Sequence, residues 1–377
     1  MIGVLAIESS KSCKAYLLPI VDTLSKQVTN LVVCTGDGKA HLVLPLNAER
    51  RVLPMEVTFN PVALIYRIVA WYAYFRTLKP HFLYVHQTRS SLIPLFCAWV
   101  NRTPVRIYHN HGLPFIGYTG MLRFMLLMLE RFNGMFATHI LFVSKSNLVS
   151  ALESKMLGKK KAKLASIWAD GSISGIAISD WKAAVNSQTF ANRKLKSVEP
   201  IRFGYVGRPT KRKGFHFLLD LWALGDFGSR CHLIIAGCSP LDIVKAGRAE
   251  LKNVEALGYV EDMSKFYSEI DVLLFPSQHE GLGYVILEAA TFCKTSICSD
   301  IPGIRCAVLD NTSGFLAKHD SKEEWIHIMH QLEHNLEKRQ SAGEKAFKFV
   351  QEKFERGRVL TEAKKYFSRV LYGEDFK

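Results

Sequence analysis

Short apolar runs bounded by glycine, proline or asparagine alternate with longer helical stretches along most of the chain. In the first half the strand-like runs fall at 4–7, 30–34, 82–86, 105–109 and 139–144, and the helical stretches at 16–24, 62–78, 92–100 and 121–132. The pattern then restarts, with strands expected at 201–206, 231–236, 254–257, 272–275 and 296–299. Helices are expected at 215–223, 241–250, 263–270 and over the segment carrying Glu288, and the last third is helical. Alternation of this kind predicts parallel sheets covered by helices on both faces. Residues 186–200 are polar, carry Arg193, Lys194 and Lys196, and end in Pro200, which makes them the linker. The expected division is therefore an N-terminal Rossmann-like domain over 1–190, a second over 200–350, and a C-terminal segment over 351–377. At 377 residues the chain is long enough for each domain to bury its own core.

Two segments of the second half carry candidate chemistry. After the apolar run at 272–275 comes Pro276-Ser277-Gln278-His279-Glu280-Gly281-Leu282-Gly283-Tyr284, which leads into a good helix former. The glycines let the backbone approach a ligand, and amides at a helix start favour an anion. Charge logic does not put Glu280 and Glu288, about two helical turns apart, beside a bare phosphate, so they are expected to hold hydroxyls. The other segment, 204–214, supplies cations: Arg208 by its fork of donors and Lys213 as a point charge suit a diphosphate. Lys211 and Arg212 fit a solvated run better.

Taken in order, Gly207-Arg208-x4-Lys213-Gly214, Leu257-Gly258-Tyr259-Val260, Pro276-Ser277-x2-Glu280-Gly281-x-Gly283 and Glu280-x7-Glu288 resemble the retaining nucleotide-sugar glycosyltransferases of family 4, of the bacterial polysaccharide type. The resemblance implies a GT-B fold, two doubly wound α/β domains facing a cleft. It implies a donor held mainly by the second domain, an acceptor held by the first, and a last helix, near 354–371, that returns to the first domain. It gives Glu280 to hydroxyls of the donor sugar and Glu288 to the ribose of a UDP-type donor. Arg208, Lys213 and the amides of Gly281, Leu282, Gly283 and Tyr284 would stabilise the leaving diphosphate. His111, at the end of the strand-like run 105–109, best matches a histidine that faces the donor sugar, and with Glu280 it forms the expected catalytic pair. The chain departs from the family at Ser9, Ser10 and Lys11, where glycines are common, at Arg305, and at Cys293-Lys294-Thr295. Neither an Asp-x-Asp pair nor a His/Asp cluster is evident, and His109 with His111 lacks a third ligand in the sequence. No metal and no cofactor beyond the donor nucleotide are expected.

Composition adds a location. The formal net charge is +15, with 24 Lys/Arg against 9 Asp/Glu in residues 1–197 and 25 of each in 198–377. A basic half suits an anionic membrane or acceptor, or nucleic acid. Stretches 62–78, 91–100 and 121–132 are apolar but interrupted by arginine or too short for a span, so they are expected as core helices that also offer a shallow membrane-facing surface. The eight cysteines form no Cys-x2-Cys pair and read as reduced, mostly buried thiols. The N-terminal run reads as a strand, not a signal peptide. The expectation is a cytoplasmic enzyme, peripheral on the inner face of the membrane, that moves a sugar to a lipid-linked or cell-surface glycan acceptor. An epimerase or phosphorylase on the same fold is the alternative. A nucleic-acid binder or scaffold is disfavoured because no aromatic-interleaved basic motif is present, so no nucleic-acid partner is expected.

Overall fold

A computed structural model describes residues 1–179 and 200–373, which form two compact units: Met1–Gly175 with Arg356–Lys377, and Ile176–Glu355. Nearly all of the expected linker lies outside the described residues.

The first unit is built on seven parallel strands: β1 (Ile2–Ile7), β2 (Asn30–Thr35), β3 (Ala48–Val52), β4 (Phe82–His86), β5 (Val105–Asn110), β6 (His139–Phe142) and β7 (Ala165–Ser166). Their spatial order is β3-β2-β1-β4-β5-β6-β7, so the order reverses at β1. The central strands are apolar throughout because helices cover both faces; Val4, Leu5, Ala6 and Ile7 are all fully buried. One layer consists of the helices Pro61–Leu78, Thr88–Val100 and Gly120–Phe136. The other includes Leu18–Ser25, entered through a π-helical turn at Cys13–Leu17. The last helix, Arg356–Tyr372, packs on it and places Val359, Ala363 and Phe367 in the same core as Tyr84 and Trp168.

The second unit repeats the plan with β8 (Ile201–Val206), β9 (Cys231–Ala236), β10 (Val254–Ala256), β11 (Val272–Phe275), β12 (Thr295–Ser299) and β13 (Phe315–Ala317), in the order β10-β9-β8-β11-β12-β13. All pairings are parallel, and β8 lies directly beside β11. Each unit is thus a Rossmann-like α/β layer structure. The eight cysteines are free thiols, six of them buried. Among the described residues no helix is long and apolar enough to cross a membrane.

Elements that the apolar pattern passed over are β3, β7, β13 and the helix Lys145–Glu153. The helix expected at 241–250 is only Pro240–Lys245, started by a Ser239/Asp242 capping box.

Candidate functional site

In a doubly wound sheet, the loops leaving the strands where the order reverses open a crevice at the carboxyl edge. In the second unit those strands are β8 and β11, and the two motif segments follow them. The loop after β8 runs through Gly207 and Arg208 into a 3-10 turn, Lys211–Lys213, which Gly214 ends at φ 73°. A Cβ on Gly214 would lie 2.0 Å from the carbonyl oxygen of Pro276. Glycine is therefore what lets the two loops touch, by conformation and by space alike. The Gln278 amide donates to the Arg212 carbonyl at 2.8 Å, and the Tyr205 hydroxyl donates to that of Lys213 at 3.1 Å.

This packing brings together residues 67 positions apart. Lys213 Nζ lies 2.5 Å from Glu280 Oε1, with both side chains largely buried. Ser277 donates to the same oxygen at 2.7 Å, and Lys213 also lies over the Phe275 ring, 5.6 Å from its centroid. Glu280 leads into Gly281, Leu282 and Gly283. Gly283, at φ 73° and ψ 55°, starts the helix Tyr284–Thr291 without a side-chain cap. Arg208 is exposed and has no ion pair among the described residues. One helical face further on, the Tyr267 hydroxyl donates to Glu288 Oε2 at 2.6 Å. Glu288 is half-buried, and desolvation pushes its carboxyl up to about 7 even though the tyrosine bond opposes the shift.

In the second unit two adjoining loops bring Lys213 and Glu280 together, with Arg208 on the first loop, the 281–284 backbone continuing the second, and Glu288 on the helix that the second loop opens. Ser277 and Tyr267 belong to the same group and were not singled out from the sequence. Ser277 lay within the motif, but Tyr267 reaches Glu288 from another helix and left no local signal. Of the departures, Arg305 pairs with Asp300 at 2.5 Å.

His111 lies in the first unit, after β5. The expectation that His109 and His111 lack a third partner is corrected here: β4 runs parallel beside β5 and brings His86 to them. Ring nitrogens of His86, His109 and His111 all lie within 4.8 Å of one another, a grouping able to hold a metal ion; among the described residues His330, Glu333 and His334 form another. The sequence hid the trio because His86 is 23 positions from His109 and neighbours it only through strand pairing. His86 Nδ1 and His111 Nε2 share a hydrogen bond of 2.9 Å, and Tyr84 bonds His109 Nδ1 at 2.6 Å. Burial pulls His111 down to about 4 and the other two well below their ordinary value, so all three imidazoles are neutral at physiological pH. Gly112 donates to Asn110 Oδ1 at 2.9 Å, which fixes the turn after His111.

Ser10, which starts the helical turn Ser10–Ser12 after β1, is fully buried; its hydroxyl donates to Asp37 and accepts from the Ala40 amide at 2.8 Å. It ties that turn to the loop after β2. Beside it Glu8 and Glu56 share a hydrogen bond, which, after burial, helps raise Glu8 to about 7 and holds Glu56 down. They line a small hollow with Asp37 and Arg67, another feature without a sequence signal.

The chain is similar to several known proteins. Residues 186–349 match the family Glycosyl transferases group 1. The match falls on the second unit, and curated relatives of the chain are named glycosyltransferases. One, the capsular polysaccharide biosynthesis glycosyltransferase CapM of Staphylococcus aureus, is 24% identical over 93% of both chains. Among solved structures, sucrose-phosphate synthase from Thermosynechococcus elongatus superposes with a TM-score of 0.76 at 15% identity, covering 99% of this chain and 100% of that one. Anabaena HepE in complex with UDP-glucose gives 0.73 at 16%, covering 98% and 99%. The fold class is that of the GT-B glycosyltransferases.

Proposed function

We propose that the protein transfers a sugar from a nucleotide diphosphate sugar of the UDP type to a lipid-linked or cell-surface glycan acceptor, with retention of configuration and without a metal ion, as a family 4 enzyme. The observation that carries this reading is the cluster of Lys213, Glu280 and Ser277 against the glycine-started helix Tyr284–Thr291, with Arg208 on the loop that leads to Lys213. A group 1 sequence match and a neighbour solved with UDP-glucose support it.

Departure of the diphosphate leaves positive charge at the sugar and negative charge on the leaving group. In this reading Arg208, Lys213 and the amides of residues 281–284 take up the negative charge, preorganised so that little rearrangement is needed during reaction. Lys213 is compensated by Glu280 when no anion is bound. Donor binding redirects the ammonium to phosphate and leaves the Glu280 carboxylate to a sugar hydroxyl. Glu288, held by Tyr267, accepts the ribose hydroxyls. Neutral His111 offers a hydrogen bond to the donor sugar without adding charge there, and His86 holds its ring.

For location, we infer peripheral contact with the anionic inner face of the cytoplasmic membrane through the first unit. Ile65, Tyr66 and Val69 of the helix Pro61–Leu78, and Met121 and Phe124 of Gly120–Phe136, are exposed large apolar side chains on a basic unit.

The test is turnover of a sugar-nucleotide panel with and without chelator, with the product's anomeric configuration read by NMR. We expect a retained configuration, no effect of chelator, and a 10²- to 10³-fold loss in Lys213→Ala, the scale for removing one preorganised donor. An epimerised sugar nucleotide formed with no acceptor consumed would replace this reading with the alternative.

A further inference from the structure

At the amino edge of the first unit's sheet, opposite the edge that carries His111, the starts of β4 and β5 and the ends of the helices Pro61–Leu78 and Thr88–Val100 enclose a groove of about 800 Å³. Arg76, Lys79, His81 and Arg102 line it. Among the described residues none of these has an ion pair, and the absence has a sequence basis. From residue 57 to 129, 73 positions, the chain holds seven Lys/Arg and no Asp or Glu.

Helix ends favour a nearby cation through the dipole. That accounts for one basic residue per helix, not for four around one hollow without a counter-charge. Lys79 and Arg102 moreover adopt φ 48° and 58°, at helix ends where glycine is the usual residue. Thr103 also lines the groove; it is 2% exposed, and its hydroxyl is buried with no hydrogen-bond partner. An unpartnered buried hydroxyl costs free energy that a ligand oxygen would recover.

The groove borders an apolar surface. Ile65, Val69, Tyr72 and Arg76 follow one another at helical spacing along one exposed face of Pro61–Leu78, and Tyr72 and Val100 line the groove itself. We propose that this groove binds the phosphoryl headgroup of an anionic membrane lipid, with the adjoining stripe seated in the headgroup–acyl boundary. A soluble anion would have no use for the stripe; a lipid uses both. The inference rests on the membrane contact proposed above and names the site responsible for it.

The experiment is sedimentation of the full chain with phosphatidylcholine vesicles, alone and with phosphatidylglycerol, at two salt concentrations. Wild type is expected to pellet with the anionic vesicles in a salt-sensitive way. Each cation removed should weaken partitioning about fivefold, so Arg76→Ala/Lys79→Ala/Arg102→Ala should lose about a hundredfold with its melting temperature unchanged. Thr103→Val should lose binding to phosphatidylglycerol vesicles at unchanged net charge. A triple variant that binds like wild type would overturn the groove while leaving membrane contact standing, and wild type that ignores both vesicles would remove both ideas. Stabilisation by inorganic phosphate through the same three cations without vesicle binding, or binding of duplex DNA in place of vesicles, would also contradict the assignment.

Discussion

Lys213 and Glu280 were each legible in the sequence as members of a motif, but their partnership was not. The sequence suggested one residue for phosphate and the other for hydroxyls; the structure joins them at 2.5 Å, so each is the other's counter-charge. Glu288 offers the sharpest test at this scale. Its carboxyl is raised to about 7, chiefly by desolvation, so the ionised form, which in the proposed function accepts the ribose hydroxyls, fills in as pH rises through neutrality. Donor affinity measured by calorimetry should therefore tighten several-fold from pH 6 to pH 8, and Glu288→Gln should flatten that dependence. An equal pH slope in both proteins would mean that another group is responsible. The His86–His109–His111 trio and the Tyr267–Glu288 bond escaped the sequence reading for one reason: both are made between neighbouring elements, and no spacing along the chain encodes them.

Among the elements, the long apolar strands and helices were legible because their periodicity matches their burial. The missed strands lacked such periodicity. β3 is Ala-Glu-Arg-Arg-Val on a sheet edge with no fully buried residue, and β7 and β13 are only two and three residues long. An interior helix contact carries the next prediction. Glu130, on the helix Gly120–Phe136, is fully buried and accepts from Thr88 at 2.6 Å and from Tyr108 at 2.7 Å. Burial outweighs both bonds and raises it to about 7 from an ordinary 4.5. A carboxyl raised in the folded state contributes stability fully below pH 4.5 and loses that contribution as pH climbs through 7. Glu130→Gln removes the titration, so its stability relative to wild type should rise by on the order of 3 kcal/mol between pH 4.5 and pH 8 in urea melts. A difference that stays constant with pH would show that Glu130 ionises freely.

For the whole molecule, the restart of the strand–helix pattern after residue 200 was the readable sign of two Rossmann-like units. That the chain's last helix belongs to the first unit was not readable from periodicity. The expectation came from family resemblance, and the packing that accounts for it consists of Val359, Ala363 and Phe367 in the core beside Tyr84 and Trp168. Phe367 is fully buried. Phe367→Ala should cost the first unit about 3–5 kcal/mol, as core phenylalanines do, seen as a lower denaturant midpoint; a cost below about 1 kcal/mol would mean that the helix is loosely held. The uneven charge was equally plain in the sequence, but its concentration in a groove at one sheet edge needed the fold.

The central claim is that the second unit holds a nucleotide diphosphate by Lys213, Arg208 and the helix start at Tyr284. Its most direct test is the melting temperature of wild type and Lys213→Ala with UDP, UDP-sugars and the corresponding guanosine, adenosine and thymidine compounds. Wild type is expected to gain about 2.7 kcal/mol from its preferred nucleotide at 100 times the dissociation constant, and Lys213→Ala to lose most of this gain at the same concentration. No stabilisation by any nucleotide diphosphate, or an equal gain in both proteins, would contradict it.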